Sequence, residues 1–135
     1  TAPVAIKFNQ LQINVDQSVY DQAKKQLLVP DNSAAWLQDS AKLNQSGSIF
    51  IYGHNSKAIF GSLKNLQTGD KITVVGEGGG EHLFAKNRTE SLKPSDTSVL
   101  YDLKNKPDEL ILMTCSDDYF NSKRELTYFT EVESN

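Results

Sequence analysis

The sequence predicts a mainly β domain of seven or eight strands, packed as a closed barrel or a sandwich. Its apolar runs are short, and several alternate with polar residues at the period of two that is typical of strands. Gly, Pro, Asn and Asp separate these runs, and short strands with short links favour both architectures. Because 135 residues suit one core, and no internal repeat or linker is visible, residues 1–135 are predicted to form a single domain.

The apolar residues of each run indicate which strand faces are buried. In the first strand, Val4, Ile6 and Phe8 are expected on one side. The run at 110–113 is almost continuously apolar, which suits a strand buried on both faces. The predicted strands span residues 4–8, 11–15, 48–52, 70–75, 81–87, 109–114 and 125–132.

Three segments between these strands carry weaker helical or turn signals. Residues 20–28 have helix-like spacing, which Pro30 ends. Residues 33–37 are predicted to form one or two helical turns around Trp36. Residues 95–98 predict a short capped turn.

The composition argues against several classes of function. The formal net charge of −3, from 14 basic and 17 acidic residues, is not that of a nucleic-acid-binding domain. No apolar run approaches the roughly 18 residues that span a bilayer. The glycines at 76–80 lack the Lys-Ser or Lys-Thr pair of a phosphate loop and predict a hairpin connection. One cysteine and two histidines without ligand spacing predict no metal site.

The single cysteine, Cys115, excludes a disulfide within the chain. A lone cysteine is a buried small hydrophobe, a reactive thiol or an intermolecular link. Cys115 follows the most apolar predicted strand, and the polar run at 116–118 comes directly after it. We therefore expect Cys115 where a core strand reaches the surface, which is a rigid mount for a nucleophile.

His54 and Arg124 are the residues that would serve such a nucleophile. His54 follows the strand at 48–52, although a structural loop histidine is the alternative. Arg124 begins the strand after Cys115, and an antiparallel hairpin would return it to the cysteine. An adjacent imidazolium or guanidinium favours the thiolate, and a guanidinium also donates to a developing oxyanion. His82, beside Glu81, is expected to be structural or exposed.

Three motifs resemble those of the sortases, a family of cysteine transpeptidases, and the likeness covers nearly the whole chain. The end of the buried strand resembles the family's Thr-Leu-x-Thr-Cys signature, although Ile111 and Leu112 occupy the region where the family often has Thr or Ser and then Leu. Residues 121–124 resemble the family's Asn-x-x-Arg, and residues 51–55 resemble its apolar strand that ends in Gly-His. Further similar segments are 35–36, 60–70 and 94–100. The loop after the cysteine is short and acidic, which is a second departure.

The resemblance implies a closed β-barrel of about eight strands, so that 1–135 is a sortase catalytic domain. It implies cleavage of a Leu-Pro-x-Thr-Gly-like sorting motif through a thioacyl intermediate on Cys115, with transfer to an amine. His54 would be the acid and base, and Arg124 would hold the substrate and stabilise the oxyanion. The residues expected to bind substrate are Thr114, Asn55 and Ser116.

The resemblance also implies the partners and the location. The partners would be a surface protein bearing the sorting motif and an amine of a peptidoglycan precursor or of a pilin lysine; no nucleic acid is expected. The protein is expected on the outer surface of a Gram-positive cell, held to the membrane by an anchor outside this sequence. No cofactor is expected. Some sortases use calcium, but the scattered acids form no recognisable site: Glu77, Glu81, Asp102 and Asp108.

Two alternatives remain open at this point. One is a hydrolase of the Cys-His-Asn kind, which usually carries its nucleophile at a helix N-terminus, whereas Cys115 ends a predicted strand. The other is a sortase-like barrel that binds a partner without catalysis.

Overall fold

Strands form at all seven apolar runs that the sequence indicates. Three are longer than predicted, three are shifted by one residue, and the strand predicted at 48–52 is one residue shorter. The computed structural model describes residues 1–21, 26–115 and 122–132. The strands are β1 Pro3–Phe8, β2 Leu11–Gln17, β3 Val19–Asp21, β4 Gln26–Leu28, β5 Ala34–Trp36, β6 Ile49–Tyr52, β7 Lys71–Gly76, β8 Glu81–Leu92, β9 Leu110–Cys115 and β10 Arg124–Glu131. Short 3-10 turns lie at Leu63–Asn65, Glu77–Gly79, Ser98–Leu100 and Leu103–Asn105.

Eight strands of the described chain close into a barrel in the order β1-β2-β5-β6-β9-β10-β8-β7, which confirms the predicted architecture. The β2–β5 and β6–β9 pairs are parallel, and the other pairs are antiparallel. The remaining two described strands, β3 and β4, pair only with each other. None of the helices among the described residues is long and apolar enough to cross a membrane.

Two hydrophobic clusters bury the two faces of β6 and β9. Ile51 and Leu112 point into the barrel interior, where each is fully buried. Phe50 and Ile111 point to the opposite face, where the segment that includes Leu103 covers them. The prediction that β9 is buried on both faces is therefore confirmed. We call the second group the outer cluster: Ala35, Leu37, Phe50, Tyr52, Leu103, Ile111, Leu126 and Tyr128.

Three sequence predictions about local structure are wrong. Val4 does not share the buried side with Ile6 and Phe8, but is 39% exposed, because a register shift between Pro3 and Ala5 interrupts the alternation. Residues 33–37 contain strand β5 instead of helical turns, since Ala34–Trp36 hydrogen-bonds between β2 and β6. In both segments, pairing with neighbouring strands outweighs the local pattern.

The predicted helix at 20–28 is the third error. Where the structure describes this segment, Val19–Asp21 and Gln26–Leu28 pair as an antiparallel hairpin, and residues 22–25 lie outside the described chain. The hairpin at 76–81 is confirmed, with Gly78 and Gly79 at φ values of 85° and 93°. Asp96 accepts hydrogen bonds from the amide and hydroxyl of Ser98, in the turn expected at 95–98.

Tyr52 ties the β3–β4 hairpin to the barrel. Its hydroxyl, at the end of β6, donates to the Leu28 carbonyl at 3.1 Å. Burial raises the pKa of Tyr52 to about 12, against the lowering effect of a hydrogen bond with Ser18. The neutral phenol is therefore the form that the fold accommodates.

Stability is expected to fall as the pH rises from about 10 towards 12. Below pH 10 the phenol is neutral in both states and its stabilisation is complete. Above that pH the unfolded chain releases the proton first, since the folded pKa of Tyr52 is about 12, and this favours unfolding. We expect urea denaturation at about pH 9 and about pH 11 to show that Tyr52→Phe loses less unfolding free energy between these two pH values than the wild type does.

The control for this measurement is Tyr101→Phe, since Tyr101 is 67% exposed. This variant should lose as much unfolding free energy as the wild type over the same pH range. If Tyr52→Phe also behaves as the wild type does, the assigned role of the Tyr52 phenol is wrong.

Candidate active site

The parallel pairing of β6 with β9 brings the ends of these two strands to one edge of the barrel. Ile49 is paired with Leu110, and Tyr52 is paired with Met113, so each partner lies 61 positions further along the chain. Beyond the last pair, the Gly53 amide still donates to the Met113 carbonyl at 3.1 Å. His54 and Cys115 are also 61 positions apart, and both follow this pairing at the same edge.

The β9–β10 hairpin adds Arg124 to this edge. Arg124 is the register partner of Cys115, as the antiparallel hairpin predicts. Its side chain is half-buried, and by alternation it shares a face with Leu126 and Tyr128 of the outer cluster. The structure thus brings the backbones of the three predicted chemical residues together. Ser116 and the side chain of Cys115 lie outside the described part of the molecule.

The loop that carries His54 is fixed by backbone contacts. The Phe60 amide donates to the His54 carbonyl at 3.2 Å, and the Gly61 amide donates to the Ser56 carbonyl at 2.7 Å. Gly53 allows this close packing, because a Cβ there would lie 2.8 Å from Ile59 Cγ2. The His54 side chain itself remains 45% exposed. The histidine therefore combines a held backbone with a ring that solvent can reach.

Asp31 is a neighbour of His54 that the sequence analysis did not identify. Its Oδ1 lies 3.6 Å from His54 Nε2, and its side chain is 93% exposed. Asp31 lies between two residues whose positions are fixed by hydrogen bonds. The Leu28 carbonyl accepts from the Tyr52 hydroxyl, and the Ser33 hydroxyl donates to the Asp16 carboxylate at 2.7 Å. No local motif marks Asp31, because its position depends on the β3–β4 hairpin, which the Tyr52–Leu28 hydrogen bond ties to the end of β6.

A cleft of about 380 Å³ adjoins the same edge. Asn55 and Thr114, both predicted to bind substrate, line it together. Thr114 is buried, and its hydroxyl has no hydrogen-bond partner among the described residues. Three charged residues that the sequence analysis did not identify also line this cleft, namely Lys64, Lys86 and Glu125. We call it the polar cleft.

Other titratable residues lie in separate structural contacts. His82 is on β8, as predicted, and its Nδ1 lies 3.0 Å from Glu131 Oε2. No group of three or more potential metal ligands occurs in the described ranges. The four scattered acids each contact protein: Glu77 accepts from the Ala2 amide, Glu81 pairs with Lys7, Asp102 accepts from Asn105, and Asp108 accepts from the Gly47 amide.

Comparison with protein families decides the relationship of this chain. The model of the sortase domain matches residues 10–132. The chain belongs to the sortase family. No curated protein matches it.

Solved structures agree with this assignment of the fold. A lid mutant of sortase A from Corynebacterium diphtheriae superposes with a TM-score of 0.76 at 22% identity, covering 100% of this chain and 73% of the other. Streptococcus agalactiae sortase C1 in complex with MTSET gives a TM-score of 0.75 at 14% identity, covering 97% of this chain and 69% of the other. Sortase C-1 from Actinomyces oris gives a TM-score of 0.72 at 19% identity, covering 96% of this chain and 73% of the other. At these identities the likeness establishes the shared barrel.

Gly53→Ala is expected to displace the His54 loop of this sortase. The added methyl group would clash with Ile59 and with the Phe60 ring, at 2.8 Å and 3.1 Å, so the loop must shift or be destabilised. Overpacking of this kind costs about 1–3 kcal/mol. Thermal unfolding and the NMR signals of the His54 ring should both change.

Gly80→Ala is the matched control. Gly80 has a φ of −65°, and a Cβ there would meet only His82 Nε2, at 4.0 Å. If Gly53→Ala keeps the His54 signals and the stability of the wild type, the close packing of Gly53 against Ile59 and Phe60 is not needed to position the loop.

Proposed function

We propose that this sortase is a cysteine transpeptidase that cleaves a Leu-Pro-x-Thr-Gly-like sorting motif and joins the cleaved protein to an amine. The observation that carries the proposal is the convergence of two strand pairings at one edge. The β6–β9 pair supports His54 beside the end of β9, and the β9–β10 pair sets Arg124 opposite Cys115. These are the residue types that acyl transfer through a thioester requires.

In the first half of the reaction, the Cys115 thiolate attacks the carbonyl of the motif's Thr. A carbon–sulfur bond forms, and the Thr–Gly amide bond breaks. The protonated His54 imidazole gives its proton to the departing amine. Arg124 donates hydrogen bonds to the oxyanion of the tetrahedral intermediate.

In the second half, an incoming primary amine attacks the thioester carbonyl. A carbon–nitrogen bond forms, the carbon–sulfur bond breaks, and the thiolate leaves. His54, now neutral, accepts the proton that the attacking nitrogen loses. Each residue thus returns to its starting protonation state, and no organic cofactor takes part.

The partners proposed for this chemistry are a surface protein that carries the sorting motif and an amine from a peptidoglycan precursor or a pilin lysine. Its place of action would be the outer face of the cell membrane. Membership in the sortase family supports both proposals. The structural relatives include proteins named sortase A and sortase C1, and one of the latter is named for a pilus island.

Mass spectrometry of the protein incubated with a library of sorting-motif peptides tests the proposal. We expect a thioacyl adduct on Cys115 that disappears when an amine is added, and no adduct in Cys115→Ala. His54→Ala and Arg124→Ala should each slow transfer by at least about 100-fold, the cost of losing a proton-transfer group or an oxyanion donor.

Lys123→Ala is the matched control for Arg124, since Lys123 is the exposed neighbouring residue. It should retain near-wild-type transfer. Near-normal turnover in Arg124→Ala would exclude Arg124 as the donor that stabilises the oxyanion. A folded protein that forms no adduct with any peptide would favour the non-catalytic binding domain instead.

Asp31 is expected to assist His54 when the imidazole carries its proton. The carboxylate lies 3.6 Å from Nε2, so it would stabilise the imidazolium and help orient the ring. Because the pair is exposed, Asp31→Asn should lower transfer by only about two- to five-fold. The steady-state rate with a saturating peptide is the measurement, and the exposed Asp39→Asn is the control. Identical rates for both variants would exclude this assistance.

A further inference from the structure

Residues 28–31, which lie between β4 and β5, run alongside the end of β6. The Leu28 carbonyl accepts from the Tyr52 hydroxyl at 3.1 Å, and Asp31 Oδ1 lies 3.6 Å from His54 Nε2. Because Tyr52 belongs to the outer cluster, these contacts place the segment at the barrel face that also carries Arg124. We call residues 28–31 the edge segment.

The edge segment exposes two adjacent apolar residues. Leu28 and Val29 are 42% and 40% exposed, and Val4 and Tyr101 are the other large apolar residues exposed to this degree among the described residues. Pro30 has a fixed φ and restricts Val29 to extended backbone, which limits the freedom of the segment. An alkyl chain that packs against Leu28 and Val29 would gain free energy by leaving water.

Asp31 supplies a negative charge at the end of this apolar surface. Its side chain is 93% exposed, and its one ion-pair partner among the described residues is His54. In the proposed mechanism, His54 has given its proton to the departing amine by the time the thioacyl-enzyme forms. The carboxylate then faces a neutral imidazole. An arriving ammonium would replace the positive charge that has been lost, at the stage when the second substrate must bind.

The apolar pair and the carboxylate together indicate the chemistry of a ligand. A carboxylate beside two aliphatic side chains is complementary to a primary ammonium on a short alkyl chain. A nitrogen that contacts Asp31 Oδ1 also lies near His54 Nε2, because these two atoms are 3.6 Å apart. The nitrogen is therefore bound beside the imidazole that accepts its proton in the second half of the reaction.

We infer that the edge segment is the acceptor-binding surface of this sortase, where Asp31 pairs with the incoming ammonium and Leu28 and Val29 contact its alkyl chain. This inference rests on the proposed transpeptidase function. The ammonium releases one proton to solvent, and the neutral nitrogen attacks the thioester carbonyl. As the amide forms, the nitrogen passes a second proton to His54 and the Cys115 thiolate leaves.

Competition between amines and water for a pre-formed thioacyl-enzyme tests this surface. The measured quantity is the amine concentration at which half of the thioacyl-enzyme is aminolysed instead of hydrolysed. The probes at neutral pH are Nα-acetyl-lysine amide, which is an ammonium on an alkyl chain, glycinamide, which lacks that chain, and hydroxylamine, which is uncharged. Because aminolysis and hydrolysis both use His54, a change in His54 itself alters both rates and leaves this concentration unchanged.

Asp31→Asn should raise the half-saturating concentration of Nα-acetyl-lysine amide by about two- to five-fold, the effect of one exposed charge pair. The value for glycinamide should rise similarly, since it is also an ammonium. The value for hydroxylamine should stay at that of the wild type. Asp39→Asn, at another exposed aspartate, is the control and should change none of the three values.

Val29→Ser separates the apolar contact from the charge. It should raise the half-saturating concentration of Nα-acetyl-lysine amide by about two- to four-fold, the effect of losing the burial of up to about one methylene group. The value for glycinamide should not change. Val4→Ser is the matched control, because Val4 on β1 is 39% exposed and Val29 is 40% exposed. Wild-type amounts of thioacyl-enzyme would show that each variant is folded.

The outcomes separate this inference from the proposed function. A folded wild type that forms no thioacyl-enzyme would overturn the proposed function, and the acceptor surface with it. Normal thioacyl formation would overturn only the acceptor surface if Asp31→Asn left Nα-acetyl-lysine amide unaffected, or shifted hydroxylamine by the same factor. The acceptor surface would also be wrong if Asp39→Asn or Val4→Ser had the same effect as the variant that it controls.

Discussion

The parallel pairing of β6 with β9 is the constraint on which the rest of the site depends. It places the ends of β6 and β9 at one edge, where His54 lies just beyond one strand and Cys115 ends the other. Since the side-chain period of a strand is two, a slip of one residue would exchange Ile111 and Leu112 between the interior and the outer cluster. The two clusters therefore fix the register, and the register fixes how His54 lies relative to Cys115.

This dependence explains why much of the fold was readable from the sequence. The run at 110–113 is apolar at successive positions because both of its faces are buried, and this pattern is recognisable without a structure. The polar residues directly after it indicate the barrel edge. The three motifs stand at strand ends, so locating the strands also located His54, Cys115 and Arg124.

The features that the sequence did not reveal depend on contacts between distant segments. Trp36 lies in a three-residue strand that exists because β2 and β6 flank it, and such a short run has no readable period. Val4 alternates correctly in the sequence, but a register shift turns it outward. Asp31 lies near His54 because the hydrogen bond from Tyr52 to Leu28 ties the β3–β4 hairpin to β6, and no local spacing encodes that contact.

The His54 loop shows how this edge combines rigidity with access. Proton transfer requires a ring that substrates can approach, yet a shift of about 1 Å in a catalytic group is costly. Backbone hydrogen bonds from Phe60, together with the absence of a side chain at Gly53, hold the main chain while the ring stays 45% exposed. Backbone contacts therefore fix the position of the His54 loop, while the ring itself stays open to solvent.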